Sequence, residues 1–409
     1  MNPQIEKMSH SHISQRVSSL RPTAVNAILT EVRELKMRGK DVVSLMRGEP
    51  DIPTPEHIVA AASESLANGR TTYPNNQGEP LLREAVAKKL SEFCIGDYSA
   101  DDEILITTGA TFGVYAALAA VLDPDDEVLL PEPVYDAYLG VISLLGGIAK
   151  SVPARIEQGH YTLDSDALQA ACSPKSKVLL LNTPWNPTGT VLTEDELSAL
   201  MSVAAKHDLV VLSDEIYEAV IYEERNHVSP AAISDDARHR TILVNSFSKT
   251  YAMTGWRLGY CAASAEYIRG MSLVLQQSSR GPSTFVQDAG VAALTGPQKC
   301  VAEMREEYAK RRQQVCEALS GLSKVRVVPP EAGFFVMVDV RELGIGSDEI
   351  RKRLLNEFGV VVVHGSAYGA SAEGTLRISF ASGGENLREG LKRLRQGLSV
   401  LAGDNAREQ

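Results

Sequence analysis

The 409-residue sequence is poor in cysteine: Cys94, Cys172, Cys261, Cys300 and Cys316 are scattered, form no C-x-x-C pair, and show no metal-ligand spacing with the eight histidines. So sparse and odd a set fits reduced thiols in a cytoplasm better than a disulfide framework. Positive charge is also in deficit. The net charge of −11 argues against a nucleic-acid or anionic-membrane surface, and the first hundred residues carry no basic helix-turn-helix pattern. No uncharged stretch reaches the length of a membrane span, and the opening MNPQIEKMSHSHISQ has no apolar signal-peptide core. The expectation is a soluble, cytoplasmic protein with a loose polar arm over residues 1–15, in which His10 and His12 are not a metal site. Internal repeats, low-complexity tracts and long linkers are absent as well. What remains is ordinary for a soluble enzyme of about two domains: 44% hydrophobic and 23% charged residues.

The chain is organised around TILVNSFSKTYAMTGWRLGY, from Thr241 to Tyr260. An apolar run, Thr241 to Val244, reads as a buried parallel strand. It breaks into Ser246, Phe247, Ser248 and Lys249, and Arg257 follows eight residues after the lysine. A lysine at the end of a buried strand is partly desolvated, which lowers its pKa and makes the amine a nucleophile. Hydroxyls and a forked cation beside it suit a phosphate monoester. Together they suggest a lysine that holds the aldehyde of pyridoxal phosphate while its neighbours hold the phosphate. Read alone, S-x-S-K is more often a polar turn with a surface lysine.

The rest of the chain overturns that reading. Helices are expected over 23–37, 55–68, 79–93, 112–122, 137–145 and 195–207, alternating with strands at 42–46, 103–107, 127–130, 177–181 and 209–212. The strand at 103–107 runs into Thr108, Gly109, Ala110 and Thr111, a small-residue turn whose helix-start N–H groups suit an anion. Tyr135 follows the next strand. Asn186 sits in a loop stiffened by Pro184, Pro187 and Gly189, and Asp214 ends an all-apolar strand, where it needs a cationic partner. All these polar signals follow the carboxyl ends of strands, where open α/β sheets bind ligands. After Pro297, a charged connecting helix over 299–319 leads to an α+β unit with strands at 325–328, 333–339 and 375–381. Arg377 lies inside the last of these, as either a carboxylate clamp or a structural salt bridge.

With these residues in order, the chain resembles the class I/II aminotransferases of pyridoxal-phosphate fold type I, in the branch of bacterial aspartate and broad-specificity enzymes. The likeness runs from about Ile13 to Leu398 through GEPD at Gly48, the Tyr73 loop, GAT at Gly109, NPTG at Asn186, SDEIY at Ser213, SFSK…GWRLGY at Ser246 and LRIS at Leu376. It implies an α/β fold: a large cofactor domain with a mainly parallel seven-stranded sheet over 51–300, and a smaller α+β domain built from both termini, 16–50 and 301–409. It implies pyridoxal 5'-phosphate, with Lys249 as Schiff base and proton shuttle and Asp214 on the pyridine nitrogen. Tyr217 and Asn186 would bond the phenolic oxygen, and Tyr135 would stack on the ring. Ser246, Ser248, Arg257 and the backbone of Gly109, Ala110 and Thr111 would hold the phosphate. Tyr73 would reach in from the other subunit of a homodimer. Arg377, helped by the backbone at Gly48, would clamp the substrate's α-carboxylate. The implied reaction moves an α-amino group from an L-amino acid to a 2-oxo acid by a ping-pong route. The alternative on this scaffold is a β-eliminating carbon–sulfur lyase or a related synthase.

Departures from the family pattern concern the substrate. Aspartate-specific members of this branch often carry a lysine where Thr111 stands, and the position of another familiar distal arginine is Gln276. Arg47 and Arg280 could supply positive charge instead, or be surface residues. Gly333, Phe334 and Phe335 replace a common G-A-F-Y pattern, which suggests an apolar wall and neutral or aromatic amino acids.

Overall fold

The computed structural model describes residues 12–18, 20–157, 159–222 and 225–404. Most of the N-terminal arm, including His10, lies outside them.

The chain enters through a short helix α1 (Gln15–Ser18), helix α2 (Ala24–Met37) and a two-residue strand β1 (Val43–Ser44), then helices α3 (Glu56–Ala67) and α4 (Pro80–Glu92). Strand β2 (Ile104–Thr107) leads into helix α5 (Ala110–Val121), and strand β3 (Glu127–Glu132) into helix α6 (Ala137–Leu144). Strand β4 (Ile148–Pro153) follows, then a hairpin of β5 (Arg155–Glu157) and β6 (His160–Thr162). Strands β7 (Ser176–Asn182), β8 (Val210–Asp214), β9 (Thr241–Ser246) and β10 (Gly259–Ala262) complete a seven-stranded sheet of order β2-β10-β9-β8-β7-β3-β4. Its central strands are apolar on both faces, because helices cover both. On one face Val114, Ala117 and Leu118 of α5 pack against Val128, Val178, Leu212 and Val244. On another, Leu129, Leu179, Leu181 and Val211 meet Leu197, Leu200 and Met201.

The pairing register sets the site. Asn182 pairs with Asp214 across β7 and β8, and Asp214 with Val244 across β8 and β9. The carboxyl ends of the parallel strands therefore form one rim. Strand β10, which the sequence reading did not include, is antiparallel to both neighbours, and its first residue, Gly259, pairs with Ser246 and Thr107. Its amino end thus arrives at the same rim and delivers Arg257 there.

A second sheet, β11 (Arg326–Val328), β12 (Phe335–Asp339), β15 (Thr375–Ser379) and β14 (Val363–His364), is antiparallel throughout. The helix Lys299–Leu319 buries Met304, Tyr308, Arg311, Val315 and Leu319, a stripe at helical spacing, against this unit. The N-terminal segment joins it: β1 pairs in parallel with β13 (Val360–Val361), Val43 opposite Val360. The strand expected over 42–46 is thus only two residues long, since the chain then leaves the pairing towards Gly48. Among the described residues, no helix is long and apolar enough to cross a membrane.

Candidate active site

Between the rim of the large sheet, the start of α2 and the second sheet lies a cavity of about 830 Å³. Its lining includes Gly48, Ala110, Thr111, Tyr135, Asn186, Asp214, Tyr217, Ser246, Ser248, Lys249, Arg257 and Arg377, which the sequence reading had singled out one by one.

Lys249 stands in the short helix Phe247–Thr250 that follows β9. Ser246 caps that helix by accepting the Ser248 N–H, and its hydroxyl donates to Ser248 Oγ at 2.8 Å. The turn fixes the lysine's direction, and Lys249 Nζ donates to the Gly48 carbonyl. Burial pulls the ammonium down to about 8, with the nearby Glu49 carboxylate opposing. An amine with that pKa is partly free base at neutral pH, as a nucleophile requires.

Asp214 ends β8 and is 4% exposed. Burial pushes its carboxyl up to about 6, against the Tyr138 hydroxyl, which donates to Oδ2 at 2.6 Å, and the Ile216 N–H. Its neighbour Glu215 is fully buried and accepts from Ser213 Oγ at 2.8 Å and Ser229 Oγ at 2.7 Å, with His227 Nε2 at 2.6 Å from its other oxygen. Successive residues at a strand's end diverge to opposite sides, so Glu215 pins the backbone while Asp214 faces the cavity.

On the other side of the cavity, α5 begins at Gly109, whose φ of 82° is left-handed and which has no side-chain cap. A Cβ at 109 would stand 2.5 Å from Arg257 Nη2, so only glycine lets the guanidinium lie against the helix start. Arg257 itself holds a left-handed φ of 53° and anchors Nη1 on the Thr254 carbonyl at 2.9 Å. A cation, two serine hydroxyls and a bare helix start converge on one spot, a cradle for a dianionic oxyanion group.

Arg377 is 3% exposed in β15, with its guanidinium carbon 4.1 Å from the Phe335 ring centroid and 5.0 Å from that of Tyr368. Nη1 reaches Asn186 Oδ1 at 3.5 Å, and the buried Nε has no hydrogen-bond partner among the described residues. Among the described residues no carboxylate forms an ion pair with it, and a buried, stacked cation on the cavity wall suits an anionic ligand better than a structural salt bridge.

The family model described as aminotransferase class I and II matches residues 40–394. The chain belongs to that family. It is 35% identical over 389 residues to the aspartate aminotransferase of Bacillus subtilis, covering 94% of this chain and 98% of that protein. It is 37% identical over 384 residues to aromatic-amino-acid aminotransferase 2 of Thermococcus litoralis, covering 93% and 97%. The structure of Thermus thermophilus aspartate aminotransferase with maleate superposes with a TM-score of 0.89 at 36% identity, covering 95% of this chain and all of that one. The protein is therefore a fold type I aminotransferase that acts on amino acids and 2-oxo acids, and membership implies dependence on pyridoxal phosphate. The cavity fits that group: the cradle at Gly109 and Arg257 suits a phosphate, Asp214 a ring cation, and Lys249 an aldehyde. Nothing in the structure or in these likenesses favours the β-eliminating alternative.

Two expected residues stand apart in this aminotransferase. Tyr73 does not line the cavity; it is 84% exposed and borders a separate cleft of about 490 Å³ with Arg280, whose guanidinium lies 5.7 Å from its ring centroid. Gly109 acts from behind the wall. Arg47 lines the cavity but is engaged, with Nε on the Glu49 carbonyl at 3.1 Å, Nη2 on the Pro50 carbonyl at 3.3 Å, and the Glu49 carboxylate 3.4 Å away. Phe335 forms part of the cavity wall, and Phe334 packs behind it at 4.9 Å between ring centroids. The sequence reading missed Tyr138, Asp136 and Glu49.

Proposed function

We propose that Lys249 would hold the cofactor by its aldehyde and, with a substrate in place, would carry the proton on and off the substrate's Cα. The observation that carries this reading is one cavity in which a lysine near pKa 8, a buried aspartate and a buried arginine with no carboxylate partner among the described residues meet. Bound there, pyridoxal phosphate would supply the aldehyde and an electron-withdrawing ring. Asp214, held by Tyr138, would keep a proton on the ring nitrogen, and Tyr217 and Asn186 would serve the phenolic oxygen. Tyr135 supplies a flat face for the ring. Ser246, Ser248, Arg257 and the backbone of Gly109, Ala110 and Thr111 hold the phosphate. Arg377 orients the substrate by its α-carboxylate, so that the Cα hydrogen meets Lys249 Nζ. The Gly48 backbone, whose carbonyl accepts from Lys249, helps Arg377 to hold that carboxylate.

The reading includes a homodimer in which Tyr73, solvent-facing within one chain, reaches the partner's phosphate. It also takes 16–50 with 301–409 as the small domain and 51–300 as the large one, a division supported by the pairing of β1 with β13. The test is a single half-reaction: cofactor-loaded protein is mixed with an amino acid and no oxo acid. One equivalent of 2-oxo acid per site, with loss of the aldehyde cofactor's visible absorbance, is expected, and Lys249→Ala should give neither. Continuous release of ammonia and pyruvate would instead make the protein a lyase.

A further inference from the structure

The central cavity carries more charge than the roles above use. Of its charged lining residues, Asp214, Lys249, Arg257 and Arg377 are accounted for, and Arg47 and Glu49 satisfy one another. Asp136 is left. It lies between Tyr135 and α6 and faces the start of α2, whose Thr23, Val25, Asn26 and Leu29 line the same wall. The Ala24 N–H, at the first residue of α2, donates to Asp136 Oδ2 at 3.1 Å. A helix start has unpaired N–H groups and a partial positive charge, so it is the place in this wall where an anionic ligand would settle. Here the protein's own carboxylate already occupies it. The Asp136 carboxyl is half-buried, and burial raises its pKa, with the charge of Arg377 and the N–H groups of Ala24, Asp136 and Ala137 opposing.

With the α-carboxylate on Arg377 and the α-nitrogen at Lys249, the lining that remains for a substrate's side chain includes Met46, Ile216 and Phe335 and, on one side, the wall made by Asp136 and α2. Among the described residues, that wall offers no free cation. We infer that Asp136, seated on the start of α2, is a specificity-determining residue that rejects amino acids with a side-chain carboxylate and confines this aminotransferase to side chains without negative charge. The inference rests on Arg377 as the α-carboxylate site. Repulsion between the substrate's carboxylate and Asp136 is the discriminating element, and the loss of the helix start as an anion site adds to it.

The experiment compares the cofactor-loaded wild type with Asp136→Asn and Asp136→Glu. Half-reaction rates are measured with aspartate, glutamate, methionine and phenylalanine, together with calorimetric binding of maleate, a dicarboxylate that does not react. The wild type should favour the uncharged amino acids by about tenfold or more, and Asp136→Asn should shrink that ratio by about tenfold and tighten maleate. Asp136→Glu, which keeps the charge, should keep the ratio. A wild type that prefers aspartate or glutamate, or an Asp136→Asn protein with the wild-type ratio and maleate affinity, overturns the inference. Arg377→Lys separates the two layers. If it leaves the KM of every substrate unchanged, the α-carboxylate assignment has failed; if it raises them all while Asp136→Asn changes nothing, only the role of Asp136 has.

Discussion

At the scale of single residues, two buried groups hold protons at unusual pH. Lys249 titrates near 8 in the free chain, chiefly because burial penalises its charge. Only the uncharged amine attacks an aldehyde, so capture of pyridoxal phosphate by cofactor-free protein should speed up about tenfold per pH unit below 8 and level off above it. Stopped-flow mixing between pH 6 and 9 reads this directly, and a flat profile would contradict it. Asp214 is raised to about 6 from an ordinary carboxyl near 3.8. A carboxyl raised on folding contributes stability in full below its unfolded pKa and loses it as pH rises through the folded value. At pH 8 the cofactor-free protein therefore bears the cost of a buried charge, of order 3 kcal/mol from about two pKa units. Asp214→Asn should raise the Tm of cofactor-free protein at pH 8 by a few degrees while cutting turnover at least about a hundredfold. Thermal melts and half-reaction rates on the same preparation check both signs.

At the scale of elements, strand ends do the positioning, and this decides how much could be read beforehand. Asp214, Lys249 and Arg377 were legible because a charge at the end of, or inside, an apolar strand is conspicuous against P-free runs such as Val210 to Leu212. Tyr138 was not, since a tyrosine in the apolar helix α6 looks like core until its hydroxyl is seen on Asp214. Asp136 looks like an ordinary residue before a helix; only the tertiary approach of α2 gives it a partner. Strand β10 escaped notice because four residues, Gly259 to Ala262, follow a turn with no alternation to mark them. Yet its antiparallel entry is what carries Arg257 to the rim and presses it against Gly109. Gly109→Ala should therefore weaken pyridoxal phosphate binding by about tenfold or more, through the displaced guanidinium and a strained left-handed φ. A cofactor titration followed by absorbance tests this, and wild-type affinity in the variant would remove the cradle from the account.

At the scale of the whole molecule, Tyr73 is a large aromatic ring left in solvent, and further apolar residues such as Leu66 and Leu81 are exposed as well. Sedimentation should give a species of about twice the 44.2 kDa chain mass, and Tyr73→Phe should loosen the cofactor without dissociating it. Both are measured on cofactor-loaded protein, and a monomer with an intact site would refute the shared arrangement. The pairing of β1 with β13 has a consequence for how the enzyme comes into being. Val43 is made early but waits for Val360, roughly three hundred residues later, which is about 15–60 s at ordinary rates of synthesis. Residues 109–257, which hold the cradle, Asp214 and Lys249, leave the ribosome well before Arg377, and β1, which leads to Gly48, has its pairing partner only once Val360 is made. The order of translation thus presents the residues proposed for the cofactor before the arginine proposed for the substrate, and the cavity is complete only once the two ends of the chain have met.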